Sequence, residues 1–231
     1  MFTKIFEKEI KSLFVPAVFV IGLIGCWDLF LGTRIRVWPG QFIGILAFLP
    51  GMIPAIWLLA MGFQSLHAEW NSNSIYLLLS LPVRGWKVTG AKLVADLVSS
   101  IIIGLVSLAG LGILLTLMGT KLLLHVSAGI IVFMACATLF FMALVIAISQ
   151  FSFITGHLVP KFRGAFSLVT FFLCLGVYFK LTAWLLPLLN WLPSLEVGRA
   201  GLPTGFLLLE LIFFGIFFTA GSLLFEKRVE L

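Results

Sequence analysis

Six stretches of this chain are apolar for long enough, or nearly long enough, to cross a membrane, and that pattern limits the fold more than any other feature. A helix rises 1.5 Å per residue, so about 20 mostly apolar residues cross the ~30 Å hydrocarbon core. The runs fall at about residues 13–31, 42–64, 92–118, 122–150, 165–179 and 204–225. Only 10% of the 231 residues are charged, against about 25% in soluble domains. Once the spans are set aside, too little chain remains for a soluble catalytic domain. The expected fold class is an all-α integral membrane protein, with six transmembrane helices in a single domain over residues 1–231.

The connections refine this expectation. Residues 1–12 set Phe2, Ile5, Phe6 and Ile10 at helical spacing, opposite Lys4, Glu7, Lys8 and Lys11, which predicts an interfacial helix with snorkelling lysines. Pro50 and Pro54 predict a kink in the second span. Only Gly119, Thr120 and Lys121 separate the third and fourth spans, which predicts a tight hairpin. The fifth span stops early at Lys180, and Pro187 and Pro193 interrupt the apolar residues after it. Residues 181–193 are therefore expected to form a re-entrant helical connector, with Trp184 and Trp191 at headgroup level.

The net charge of +6 comes from basic residues scattered singly between spans, a distribution that fits membrane topology better than nucleic-acid binding. One side collects ten Lys and Arg residues and the other five, out of 15. The positive-inside rule then puts both termini in the cytoplasm of a multi-pass plasma-membrane protein. The three cysteines all fall inside apolar runs, with no CxxC pair and no histidine cluster, so neither a disulfide framework nor a metal site is expected.

The long polar interruption at residues 69–91, on the cytoplasmic side, holds the remaining signals. It opens on Glu69, and Ser72 or Ser74 can cap a short helix from Ile75 to Leu81. Pro82 ends that helix, and the basic residues Arg84, Lys87 and Lys92 follow. Gly85 to Leu93 approximates a phosphate-binding loop. Ala91 stands where the lysine belongs, Leu93 where the hydroxyl belongs, and no strand precedes it. No catalytic residue, ATP site or metal ligand is expected in this chain.

Glu69, Ser74, Leu77 to Leu79, Pro82, Arg84 and Lys92 resemble the E-x-x-x-x-T-x-x-x-L-L-x-x-P-x-x-R-x-x-x-x-x-K type pattern between the second and third spans of ABC-2 type transporter permeases. Asn73-Ser74 replaces the usual Gly-Thr, and Arg84 sits two residues after Pro82, a looser placement than the rest. The resemblance implies a six-span half-transporter, without ATPase motifs of its own, that pairs with a second copy or a related permease. A cytoplasmic ABC ATPase subunit, which would bind the ATP and magnesium, docks beneath each half. Glu69, Ser74, Ile75, Leu77, Leu78, Leu81, Pro82, Arg84 and Lys87 would then form a coupling helix and its flanks. The loop bearing His157, Lys161 and Arg163 is a second docking candidate on the same side.

Acids inside spans need partners or a role. Asp96 is expected to pair with Lys92, four residues earlier. Glu210 either lines a substrate path or pairs with Lys180 or Arg199. The function expected is ATP-driven export of a lipophilic, amphipathic or peptide substrate from a bacterial cytoplasm. An ion-gradient-driven secondary transporter and a non-transport membrane scaffold or sensor are the competing classes.

Overall fold

Apolar segments with no water to satisfy their backbone have one local solution, the helix. A computed structural model describes residues 2–71, 85–119, 128–157, 159, 162–189, 191–192, 194–197, 200–202 and 204–227. Six helical segments in it are long and apolar enough to cross a membrane. The elements, in chain order, are α1 (Phe2–Arg34), α2 (Gly40–Ala47), α3 (Leu49–Asn71), α4 (Gly85–Leu117), α5 (Ala128–Gly156), α6 (Arg163–Leu185) and α7 (Thr204–Lys227). A 3-10 turn, Leu186–Leu189, follows α6, and a two-stranded antiparallel hairpin, β1 (Leu195–Val197) with β2 (Ala200–Leu202), precedes α7.

The helices pack in two groups. Leu13 and Ile24 of α1 share one core cluster with Trp57 and Met61 of α3 and Ala95 and Ile103 of α4. A second cluster joins α5, α6 and α7 through Leu144, Ile148, Phe171, Tyr178 and Phe213, with Leu58 of α3 and Leu93 of α4 at its edge. Helices α3 and α4 therefore belong to both groups. Helices α1 and α4 run parallel, because Glu9 meets Lys92 near one end and Asp28 meets Gly110 farther along. Phe2 next to Gly90, Gly85 against Glu226, Trp70 against Phe225 and His157, and Gly156 against Arg163 bring six helix termini to one end of the bundle, here called the basic end.

Several expected boundaries move. Residues 2–12 are not a separate interfacial helix, because α1 is continuous through Pro16. Phe6 and Ile10 pack on the α1–α3–α4 cluster instead of lying among lipids. The interruption before α3 lies at Phe48, two residues ahead of Pro50, where the backbone keeps helical angles. Proline has no N–H for the carbonyl four residues back, and Trp27 Nε1 donates to that Leu46 oxygen at 3.2 Å. Helix α3 continues past Gln64 to Asn71, and α4 starts at Gly85 rather than near Lys92. Lys180 does not end the fifth span: it sits exposed on α6, where a long side chain can snorkel. That helix continues to Leu185 and its apolar run to Leu189. The connector to α7 is thus the 3-10 turn at Pro187 and the strand hairpin, not a re-entrant helical pair. Of the hairpin expected at Gly119, Thr120 and Lys121, the latter two lie outside the described residues.

Candidate functional site

Residues 72–84, with Ser74, Ile75, Leu77, Leu78, Leu81, Pro82 and Arg84 of the expected coupling helix, lie outside the described residues. What the structure shows is how both ends of that segment are anchored. Glu69 belongs to the last turn of α3 and Lys87 to the first turn of α4, where its amine lies 5.7 Å from the centre of the Trp86 ring.

One helical turn or so farther in, Lys92 is fully buried and holds three helices together. Its Nζ donates to Glu9 Oε1 of α1 at 2.9 Å and to the Ser65 carbonyl of α3 at 2.9 Å. Asp96 lies one turn along α4, buried and in electrostatic range of both Lys92 and Glu9, with the Ser65 hydroxyl beside it. Deeper still, Trp57 Nε1 of α3 donates to Ser99 Oγ of α4 at 3.2 Å, and Ser99 donates to the Asp96 carbonyl at 2.9 Å.

The expected Lys92–Asp96 pair is replaced by the long-range Lys92–Glu9 pair. Helix side chains lean towards the N-terminus, so Lys92 reaches back to Glu9 rather than forward to Asp96, and Lys before acid is the weaker order for an (i, i+4) pair. Glu9 was missed among the charges of the first helix. Its signal was position: Phe2, Phe6, Glu9 and Leu13 follow the 4-3-4 spacing of one helix face, so Glu9 is an acid set in an apolar stripe.

On the other face of α3 a cavity of about 580 Å³ opens between α3, α5 and α6 at the basic end. Trp70 and Phe153 bracket His157, with ring centroids 4.7 and 4.3 Å away, and His67 meets the edge of Phe153 at 6.1 Å. His157 Nδ1 donates to the Phe153 carbonyl at 2.9 Å. The end of α5 lies against the start of α6. Gly156 is required there, since a Cβ would lie 2.9 Å from the Arg163 carbonyl and collide with the Ser167 hydroxyl. His157 and Arg163 of the second docking loop therefore share a cavity wall, while Lys161 lies outside the described residues.

Glu210 is fully buried on α7, and its carboxylate makes no hydrogen bond among the described residues. The phenol of Tyr178 on α6 is within electrostatic reach. The structure does not bring Glu210 to Lys180, which is exposed, and Arg199 lies outside the described residues.

The model of the family described as "ABC-2 family transporter protein" matches residues 2–173, three-quarters of the chain. The chain belongs to this family. Comparison with curated proteins and with solved structures gave no match. The protein is a membrane permease of the ABC transporter class, a transport component and not itself the ATPase of such a complex. In this permease the match spans α1 to the middle of α6, so it takes in the Lys92 node and the α3–α5–α6 cavity together.

Proposed function

We propose that this permease is the membrane subunit of an ATP-binding cassette exporter, moving a lipophilic, amphipathic or peptide substrate with ATP hydrolysed by a separate subunit. The basic end faces the cytoplasm, two permeases form the membrane domain, and residues 72–84 receive the ATPase subunit. One observation carries the reading. The helices that flank this segment, α3 and α4, are pinned to each other and to α1 through Lys92, Glu9 and the Ser65 carbonyl. A push on the segment then reaches α1, α3 and α4 together, because an ion pair buried among packed side chains transmits displacement rather than absorbing it.

The test is co-purification with the cognate ATPase. Glu69→Lys, or a Gly/Ser linker in place of Ile75 to Leu81, is expected to abolish assembly while leaving the permease folded and membrane-inserted. Assembly and coupled ATP turnover at wild-type levels in both variants would contradict the reading and favour a secondary transporter or a scaffold.

A further inference from the structure

The lining of the α3–α5–α6 cavity changes in character along the membrane normal. On α3, Ala60 and Phe63 lie deeper, and Gln64, His67 and Trp70 nearer the basic end. On α6, Arg163 and Ser167 lie near the end, with Leu168 one step deeper. The exposed Leu168 and Phe172 carry the apolar track farther along α6. Ala60 to Trp70 spans about 15 Å at 1.5 Å per residue, half of a ~30 Å hydrocarbon core. One leaflet's worth of wall thus has a polar mouth and an apolar depth.

Among the described residues Arg163 is the charged side chain that lines the cavity, with His67 and His157 beside it, and no Asp or Glu is in that lining. Among the described residues no carboxylate pairs with Arg163. Its planar guanidinium suits a phosphate or carboxylate. An aromatic wall alone can attract a quaternary ammonium, but Arg163 opposes a cation there.

We propose that this cavity binds the anionic headgroup of an amphiphile from the leaflet at the basic end, with Arg163 and Gln64 at the headgroup and Phe63 and Leu168 along the chain. It is a cargo site only on the permease reading given above, which it narrows from lipophilic or peptide substrates to anionic amphiphiles. A cytoplasmic protein seated here would need no apolar track running into the membrane, so the amphiphile fits the whole wall and the protein only its mouth.

The experiment uses the full chain without its ATPase, in phosphatidylcholine nanodiscs, titrated with lysophosphatidylglycerol, lysophosphatidylcholine or inorganic phosphate. Lysophosphatidylglycerol is expected to bind at least tenfold more tightly than either of the others. Arg163→Ala should remove that preference and Arg163→Lys should keep most of it. Phe63→Ala should weaken both lysolipids. Equal affinities for the two lysolipids, phosphate binding as tight as the anionic lysolipid, or no response to Arg163→Ala would each overturn the proposal. Displacement of the lysolipid by added ATPase subunit would assign the cavity to protein docking and overturn it too. ATPase co-purification in the same preparations separates the two readings: binding without assembly defeats the exporter assignment alone, and assembly without selective binding defeats the cargo site alone.

Discussion

Lys92→Met should be among the most damaging single substitutions in this permease, and the structure gives its size. The Lys92 side chain is fully buried and that of Glu9 is 8% exposed. Without the ammonium, the buried Glu9 carboxylate loses its ion-pair partner, and the Ser65 carbonyl loses a donor. Breaking a buried pair from one side costs about 3–5 kcal/mol. For a chain of this size each kcal/mol moves the melting temperature by about 2–4 °C, so the variant should melt roughly 6–20 °C below wild type. Replacing both partners is a different matter, because a buried pair exchanged for well-packed apolar groups is often neutral or better. Glu9→Leu/Lys92→Met should therefore recover most of the loss. Thermal unfolding of the detergent-solubilised permease, followed for wild type, both single variants and the double, gives the full cycle. If Lys92→Met melts with wild type, or the double variant melts no higher than Lys92→Met, the node does not hold the helices as described.

Other substitutions probe the remaining contacts. Gly110→Ala puts a methyl group onto the Asp28 carboxylate across the α1–α4 contact; overpacking of this kind costs about 1–3 kcal/mol, and Asp28→Ala in the same chain should restore the melting temperature. Trp27→Phe removes the donor to the Leu46 carbonyl beside Pro50 and should cost about 1 kcal/mol, read as a small fall in melting temperature. Glu210→Leu replaces a buried carboxylate without a hydrogen bond among the described residues. It should raise the melting temperature by several degrees, since an unpaired buried polar group costs about 1–3 kcal/mol. A fall would mean that the carboxylate holds the helices together.

The spans were legible because apolar length is a local property: each of the six runs contains or becomes a helix of membrane-crossing length. Their ends were not, because polarity alone does not stop a helix. Residues 65–68 fall between the expected second span and the polar segment that opens on Glu69, yet Leu66 among them is fully buried and Trp70 packs on α5 and α7. Lys92 resembles a membrane boundary only until its partner 83 residues away is known. Lys180 resembles a stop, although an exposed lysine can reach past apolar neighbours. His67, unremarked in the sequence, acquires a role only because α3 continues far enough to carry it to the cavity.

On the exporter reading proposed above, a push on residues 72–84 should move α1, α3 and α4 together, as one block relative to α6. Spin-label distances measured in the reconstituted complex test it directly, with labels at the exposed positions Lys4 of α1, Trp86 of α4 and Phe166 of α6 in a chain whose three cysteines are replaced by alanine. On ATP binding, the Lys4–Phe166 and Trp86–Phe166 distances should change together while the Lys4–Trp86 distance stays fixed. A Lys4–Trp86 distance that changes with ATP, with Lys4–Phe166 unchanged, would contradict it.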